Sequence, residues 1–210
     1  MQAITIEFDW VKFADYRVET TLGNPEGTLL EQVSTSRLVG FGPPLLSQPL
    51  KNFPSLYLEL VKADKSTKGH VAFARKYGLL TRTEREDTDS WPVLIENMKN
   101  LLSRIGNLGS WPIENGEYVS YELENTFSLR YGPAISEPNS FKLSVVPRNL
   151  YNALVLQCLA SRAHGATIRC CKACGAPFEV GGSSGKRSHK EFCSDRCRFE
   201  FNHRDRKAKK

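Results

Sequence analysis

Residues 171–197 have the sequence CKACGAPFEVGGSSGKRSHKEFCSDRC, and this stretch decides how the end of the chain folds. It holds a C-x2-C pair and a C-x3-C pair with 18 residues between them. Structural zinc is bound by four soft ligands in a tetrahedron, and two close pairs of thiolates supply such a set. The spacing therefore predicts one structural Zn²⁺ ion bound by four residues: Cys171, Cys174, Cys193 and Cys197.

Other cysteines and a histidine leave alternatives for this site. Cys170 could replace Cys171 by a slip of one residue, although Cys171 gives the tighter C-x2-C pair. His203 is a substitute for Cys197, while Cys158 is expected in the core of a helix. Disulfides or free thiols are the alternative to a metal, but the clustering matches metal spacing better. Four thiolates leave no open coordination position, so the sequence predicts a structural rather than a catalytic ion.

The local sequence around the cysteines predicts a treble-clef-like zinc finger. Gly175 suits the tight turn of a zinc knuckle because glycine adopts a positive φ without steric cost. Ser194 can cap a helix that carries the last cysteine in its first turn. Phe178, Phe192 and Phe201 are expected to form the small core of this finger, which we assign to residues 166–210.

The positive charge of the protein lies in the same segment. Residues 181–210 contain ten Lys or Arg and four Asp or Glu, which accounts for the whole formal net charge of +6. Such asymmetry indicates an anionic partner, nucleic acid first, although a solvated tail is the plainer alternative. Of the two nucleic acids, DNA is expected ahead of RNA. The residues expected to contact phosphates are Lys186, Arg187, Lys190, Arg196, Arg198, Arg204, Arg206 and Lys207.

The C-terminal segment resembles the zinc finger at the C-terminus of bacterial CGNR/ABATE-type proteins, through the strings CKACGAPFEV and GKRSHKEFCSDRCRFEFNHR. A segment of related chains is similar to VAFARKYGLL at 71–80. The third and fourth cysteines stand in FCSDRCRFE, without the C-G-N-R string that names the family. The resemblance implies a bacterial transcriptional or stress regulator. It also implies that the family's zinc ligands fall on the same four cysteines, and its basic helix on residues 196–206.

Residues 1–165 are predicted to form one α+β domain, because helical and alternating hydrophobic patterns both occur there. A composition with 40% hydrophobic and 25% charged residues excludes wholesale disorder. The patterns predict helices near 52–62, 68–77 (capped by Thr67), 90–105 and 148–163, strands near 4–8, 119–123, 127–131 and 141–145, and a loop with at most a short strand over 22–50. The acids at positions 84, 86, 87 and 89 are interpreted as solvated. The ligand of this domain is left open, and a protein partner is one candidate.

Two other function classes remain as alternatives. A protein-binding zinc adaptor or inhibitor would direct the basic helix toward an acidic protein surface. A His-metal nuclease would need His189 and a second ligand, for which His203 is the candidate, and the usual histidine pairs are missing. We therefore expect no enzyme. The start of the chain lacks the pattern of a signal peptide and no apolar run approaches the ~20 residues of a membrane span, so a cytoplasmic location is expected.

Overall fold

The computed structural model describes residues 5–6, 8–23, 33–107, 127–134, 137–182 and 189–208. Helices and strands both occur, which confirms the α+β prediction. In chain order the elements are β1 (Thr5–Ile6), β2 (Trp10–Gly23), β3 (Val33–Ser47), α1 (Pro49–Asn52), α2 (Leu56–Lys62), α3 (Thr67–Tyr77), β4 (Arg85–Asp87), α4 (Ser90–Asn107), β5 (Phe127–Ala134), β6 (Glu137–Pro147), α5 (Leu150–Ala163), β7 (Ala166–Cys170), β8 (Pro177–Gly181) and α6 (Asp195–Ala208).

The core lies among helices α2 to α5, which bury one apolar stripe each. On α4 the stripe is Trp91, Ile95 and Met98, at the spacing of one and two helical turns, and all three are fully buried. Burial of such side chains stabilises a fold by roughly 1.5–3 kcal/mol each. Helix α5 presents Leu150, Leu154 and other apolar side chains to the same core.

The helix predictions are confirmed in place and corrected in detail. The helix predicted over 52–62 is α2, and it begins later, at Leu56, because Ser55 is its N-cap. Asn52 instead ends the short helix α1. The cap of α3 is Ser66 and not Thr67, since the Ser66 hydroxyl accepts a hydrogen bond from the Gly69 amide. Asn149 caps α5 in the same way, through the amide of Asn152.

The prediction of a loop over residues 22–50 is wrong. Strands β2 and β3 pair antiparallel along their whole length, from Trp10 opposite Ser47 to Gly23 opposite Val33, and β4 extends β3 on its other edge. Gly40 in β3 is required by packing, because an added Cβ would lie 2.3 Å from the ring of Phe13. The sequence did not predict this two-stranded ribbon, because few of its side chains are fully buried and its hydrophobic residues therefore do not alternate with polar ones.

A second sheet has the order β1-β6-β5. Strand β6 pairs antiparallel with β5 and parallel with β1, so the strands predicted near 127–131 and 141–145 are confirmed. The strand predicted over 4–8 is shorter, because among described residues only Thr5 and Ile6 pair. The strand predicted over 119–123 lies outside the described residues. Within the described part of the chain, no helix combines the length and apolarity needed to cross a membrane.

Strands β7 and β8 form a two-stranded antiparallel hairpin that packs on α2, α4 and α5. We call residues 166–208 the C-terminal module and residues 1–165 the N-terminal region. The side chains of β8 alternate in direction, as in any strand, and both faces are buried. Phe178 and Val180 pack in the module, whereas Glu179 lies between them on the opposite face. The hairpin therefore fixes the module against the helices of the N-terminal region.

Candidate metal centre and basic helix

The first cysteine pair lies at the turn between β7 and β8. Gly175 has a φ of +71°, in the left-handed region that favours glycine, as the sequence predicts. Its amide donates to the carbonyl of Cys171 at 2.8 Å, and the amide of Cys171 donates to the carbonyl of Ala176 at 3.0 Å. This tight turn places the side chains of Cys171 and Cys174 side by side.

The second pair spans the start of α6. The Ser194 hydroxyl accepts a hydrogen bond from the Cys197 amide at 3.2 Å, which confirms the predicted helix cap. Because Cys193 and Cys197 are separated by about one turn of helix, their sulfur atoms approach within 3.5 Å of each other. An ion pair of 2.5 Å between Lys172 and Glu191 joins the segments that carry the two pairs.

All four sulfur atoms lie within 4.8 Å of one another. The Cys174 sulfur is 3.8 Å from those of both Cys193 and Cys197. Metal–sulfur bonds of ~2.3 Å in a tetrahedron place the sulfurs about 3.8 Å apart, so the arrangement has the size of a tetrahedral thiolate site. The separations are far longer than the ~2.05 Å of a disulfide bond. The prediction that these four cysteines lie together is confirmed.

The thiols of this group differ in acidity. Burial opposes ionisation of Cys171, but the backbone amides of Cys193, Cys174 and Ala173 donate to its sulfur and lower its pKa to about 6. Burial, followed by hydrogen bonding among the thiols, raises the pKa of Cys193 to about 12. The backbone amides thus favour the thiolate form of Cys171, whereas burial and the neighbouring thiols oppose ionisation of Cys193. A bound cation would offset this opposition to ionisation.

The register of the first pair is resolved by burial. Cys171 is 3% exposed and lies in the sulfur group, whereas Cys170 is exposed on β7 and lies outside it. His203 is also exposed and outside the group, and Cys158 is buried in α5 as expected.

The module has few buried apolar side chains. Phe178, Val180 and Cys171 form its buried cluster, and Phe192 packs against them. The ring of Phe201 lies 5.3 Å from that of Phe192, but Phe201 remains 39% exposed. The predicted aromatic core is therefore present, with Phe201 at its edge.

The described basic side chains of α6 are exposed, and two of them have acidic partners on the same helix. Arg196 pairs with Glu200 at 2.8 Å, and Arg198 lies 3.4 Å from Asp195. The Arg196 guanidinium lowers the pKa of Glu200, and Glu200 in turn raises the pKa of Arg196. Arg204 is also exposed, whereas Lys190 is half-buried. Lys186 and Arg187 lie outside the described residues, as do the side chains of Arg206 and Lys207.

Three polar residues of the N-terminal region, whose roles the sequence did not predict, form hydrogen bonds within this region or with the module. The carboxylate of Glu86, interpreted from the sequence as solvated, is 3% exposed and accepts hydrogen bonds from the amides of Leu80 and Thr81 and from the Thr81 hydroxyl. Burial raises the pKa of Glu86 despite these donors. The other two are Ser55 and Ser161, whose hydroxyls donate to the carboxylate of Glu179.

Glu179 is the polar link between the two parts of the chain. It is 3% exposed, and its partners Ser55 and Ser161 come from the start of α2 and from α5. Burial, and then the nearby Glu179 carboxylate, raises the pKa of Tyr57 far above its usual range. No motif marks Glu179 in the sequence, because alternation predicts only which face of β8 it occupies and not what lies there.

The nuclease alternative gains no support from the geometry. Among the described residues, the group able to bind a metal contains four cysteines and neither His189 nor His203, both of which are exposed. Comparisons with protein-family models, with curated proteins and with solved structures found no match to this chain.

Proposed function

We propose that this chain is a nucleic-acid-binding regulatory protein whose C-terminal module is a treble-clef-like zinc finger. A structural Zn²⁺ ion bound by Cys171, Cys174, Cys193 and Cys197 would hold the module, and its basic residues would contact phosphates. The observation that carries the proposal is the tetrahedral spacing of four sulfurs beside a helix with exposed arginines.

Zinc is the ion that best fits this donor set. Thiolates are soft ligands, and four of them form the closed site typical of structural zinc. The order of a knuckle at a hairpin turn and then a helix that supplies the last ligand supports a treble-clef-like arrangement. The ion would add a cross-link to a module with very few buried apolar side chains, and it would supply no catalytic chemistry.

The electrostatics support phosphate contact. The excess charge of +6 falls within residues 181–210, and Arg196, Arg198 and Arg204 are exposed on α6. The ion pairs that Arg196 and Arg198 form on the same helix do not prevent such contact, because exposed ion pairs contribute little to stability and are readily exchanged. Binding of arginine to phosphate would also release counterions, so affinity should fall steeply with salt.

The test is a salt series with the full-length, zinc-loaded protein and labelled DNA or RNA. The double variant Arg204→Gln, Arg206→Gln should weaken binding and reduce the salt slope by about two units, since about one is lost per phosphate contact. The matched control is Arg82→Gln, Arg85→Gln, which removes the same charge from exposed positions of the N-terminal region.

Three results would contradict the proposal. Absence of binding to any nucleic acid at low salt would favour the protein-adaptor alternative. Equal effects of the two double variants would mean that only net charge matters and that α6 is not the contact surface. Loss of zinc in the Arg204→Gln, Arg206→Gln variant would show that the arginines act through the metal site instead.

A further inference from the structure

The two aromatic side chains of α6 point in different directions. Phe201 packs toward the module, with its ring 5.3 Å from that of Phe192. Phe199 lies two residues earlier, about 200° around the helix, and it is 66% exposed. Its ring is thus a large apolar surface on a helix that is otherwise strongly polar, and the core of the module does not explain it.

The side chains around Phe199 are of types that commonly contact nucleic acid in other proteins. The guanidinium carbon of Arg198 lies 5.4 Å from the centre of the Phe199 ring. Asn202 and His203, three and four residues further along the helix, line the same concave surface as the ring. Glu200 also lines it, and its charge is balanced by the ion pair with Arg196 at 2.8 Å.

We propose that Phe199 is a stacking platform for a base of single-stranded nucleic acid, and this inference rests on the proposed function. Proteins that bind single strands combine a cationic surface for the backbone with aromatic rings on which bases stack. A duplex keeps the faces of its bases inside the helix, so it can offer phosphates to α6 but no base to Phe199. Asn202 and His203 are placed to form hydrogen bonds with the edges of the same base.

The chain offers a closely matched control for this idea. Phe41 on β3 is 56% exposed, and the guanidinium carbon of Arg17 lies 4.9 Å from the centre of its ring. Unlike Phe199, this pair lies in the part of the chain whose charges balance to zero. Phe41→Ala therefore removes an equivalent exposed ring beside an arginine without touching the proposed surface.

The experiment measures binding of full-length, zinc-loaded protein to labelled single strands of DNA and RNA, and to a duplex of the same sequence. Phe199→Ala should weaken single-strand binding by about 5-fold to 150-fold, the range expected for loss of one stacked base. Duplex binding and the salt slope should hardly change, because no charge is lost. Phe41→Ala should leave all these affinities as they are. Equal losses for DNA and RNA would assign the effect to the base alone, while a larger loss for one would identify the natural strand.

A second variant keeps the test decisive. Phe199→Trp should bind single strands at least as well as the wild type, and its added fluorescence should be quenched by the strand and not by the duplex. If Phe199→Ala binds single strands normally while Arg204→Gln, Arg206→Gln does not, the stacking inference fails and the proposed function stands. If no nucleic acid binds even to the wild type, the proposed function fails first. Equal loss of duplex and single-strand binding in Phe199→Ala would also overturn the inference.

Discussion

The N-terminal region and the C-terminal module reach their structures by different means. Among the described residues, the first buries a continuous cluster of 20 apolar side chains, whereas the second buries only Cys171, Phe178 and Val180 in its own cluster. Burial of apolar area scales with the number of side chains removed from water, so the module gains much less from it. Under the proposed function, a metal bound by the sulfur group would supply the missing constraint.

The two parts also differ in where their buried carboxylates, Glu86 and Glu179, find hydrogen-bond donors. Glu86 satisfies its carboxylate with amides and a hydroxyl of a neighbouring turn, entirely within the N-terminal region. Glu179 belongs to the module but finds its partners in the N-terminal region. The small cluster of the module, with the sulfur group beside it, therefore lies on one face of β8, and the helices of the N-terminal region lie on the other.

Loss of the metal should have the largest effect on this comparison. Cys193→Ser, or treatment with a chelator, is expected to remove about one zinc per chain and to unfold residues 166–205, because binding of structural zinc contributes roughly 10 kcal/mol or more. Metal analysis and limited proteolysis would measure both effects. Cys170→Ser is the matched control and should be nearly silent, since that thiol is exposed and outside the group. An unchanged, protease-resistant module without metal would contradict this reading.

Removal of the whole module tests the other side of the comparison. A fragment of residues 1–165 should fold and unfold cooperatively, because the buried cluster of the N-terminal region ends at Cys158. It should be less stable than the intact chain, since Ile168 no longer covers that cluster and Ser55 and Ser161 lose Glu179. Circular dichroism and urea unfolding provide the measurement. A fragment without a cooperative transition would mean that the two parts share one folding unit.

Glu179→Ala should break the link between the two parts while leaving the metal site intact. Loss of the carboxylate leaves Ser55 and Ser161 without their buried acceptor, which is expected to cost about 2–3 kcal/mol in the free energy of unfolding. Glu179→Gln retains an acceptor and should cost less. Urea unfolding together with metal analysis separates the effects, and an unchanged free energy for Glu179→Ala would show that the contact is dispensable.

The smallest expected effect concerns His70 in the core. This residue is 2% exposed, it stacks on Trp91, and neither ring nitrogen has a hydrogen-bond partner among the described residues. Burial lowers its pKa below 6.5, with a minor opposing contribution from Asp64. The unfolded chain therefore binds the proton more readily, and stability is lost as the pH falls through 6.5.

His70→Phe keeps a ring against Trp91 and removes this titration. Between pH 7.5 and 5.5, we expect the variant to lose about 1 kcal/mol less stability than the wild type. Urea unfolding at several pH values measures the difference, in which the titration of all other groups cancels. Parallel curves for the two proteins would mean that His70 does not set the acid sensitivity of the core.

The local features of the site follow from the sequence because they depend on neighbours along the chain. The choice of Cys171 over Cys170, the turn at Gly175 and the cap at Ser194 were all predictable, since each is set by spacing within a few residues. The helices of the core were predictable for the same reason, because hydrophobic periodicity is a local pattern.

Only the tertiary structure decided the features that join distant residues. Glu179 finds Ser55 across 124 positions of sequence, and the β2–β3 ribbon forms although its strands lack a clear alternation of buried residues. The exposure of Phe199 beside Arg198 depends likewise on which face of α6 the module covers. Sequence patterns specify what a segment prefers to be, whereas partners, burial and exposure depend on long-range packing that local propensities do not contain.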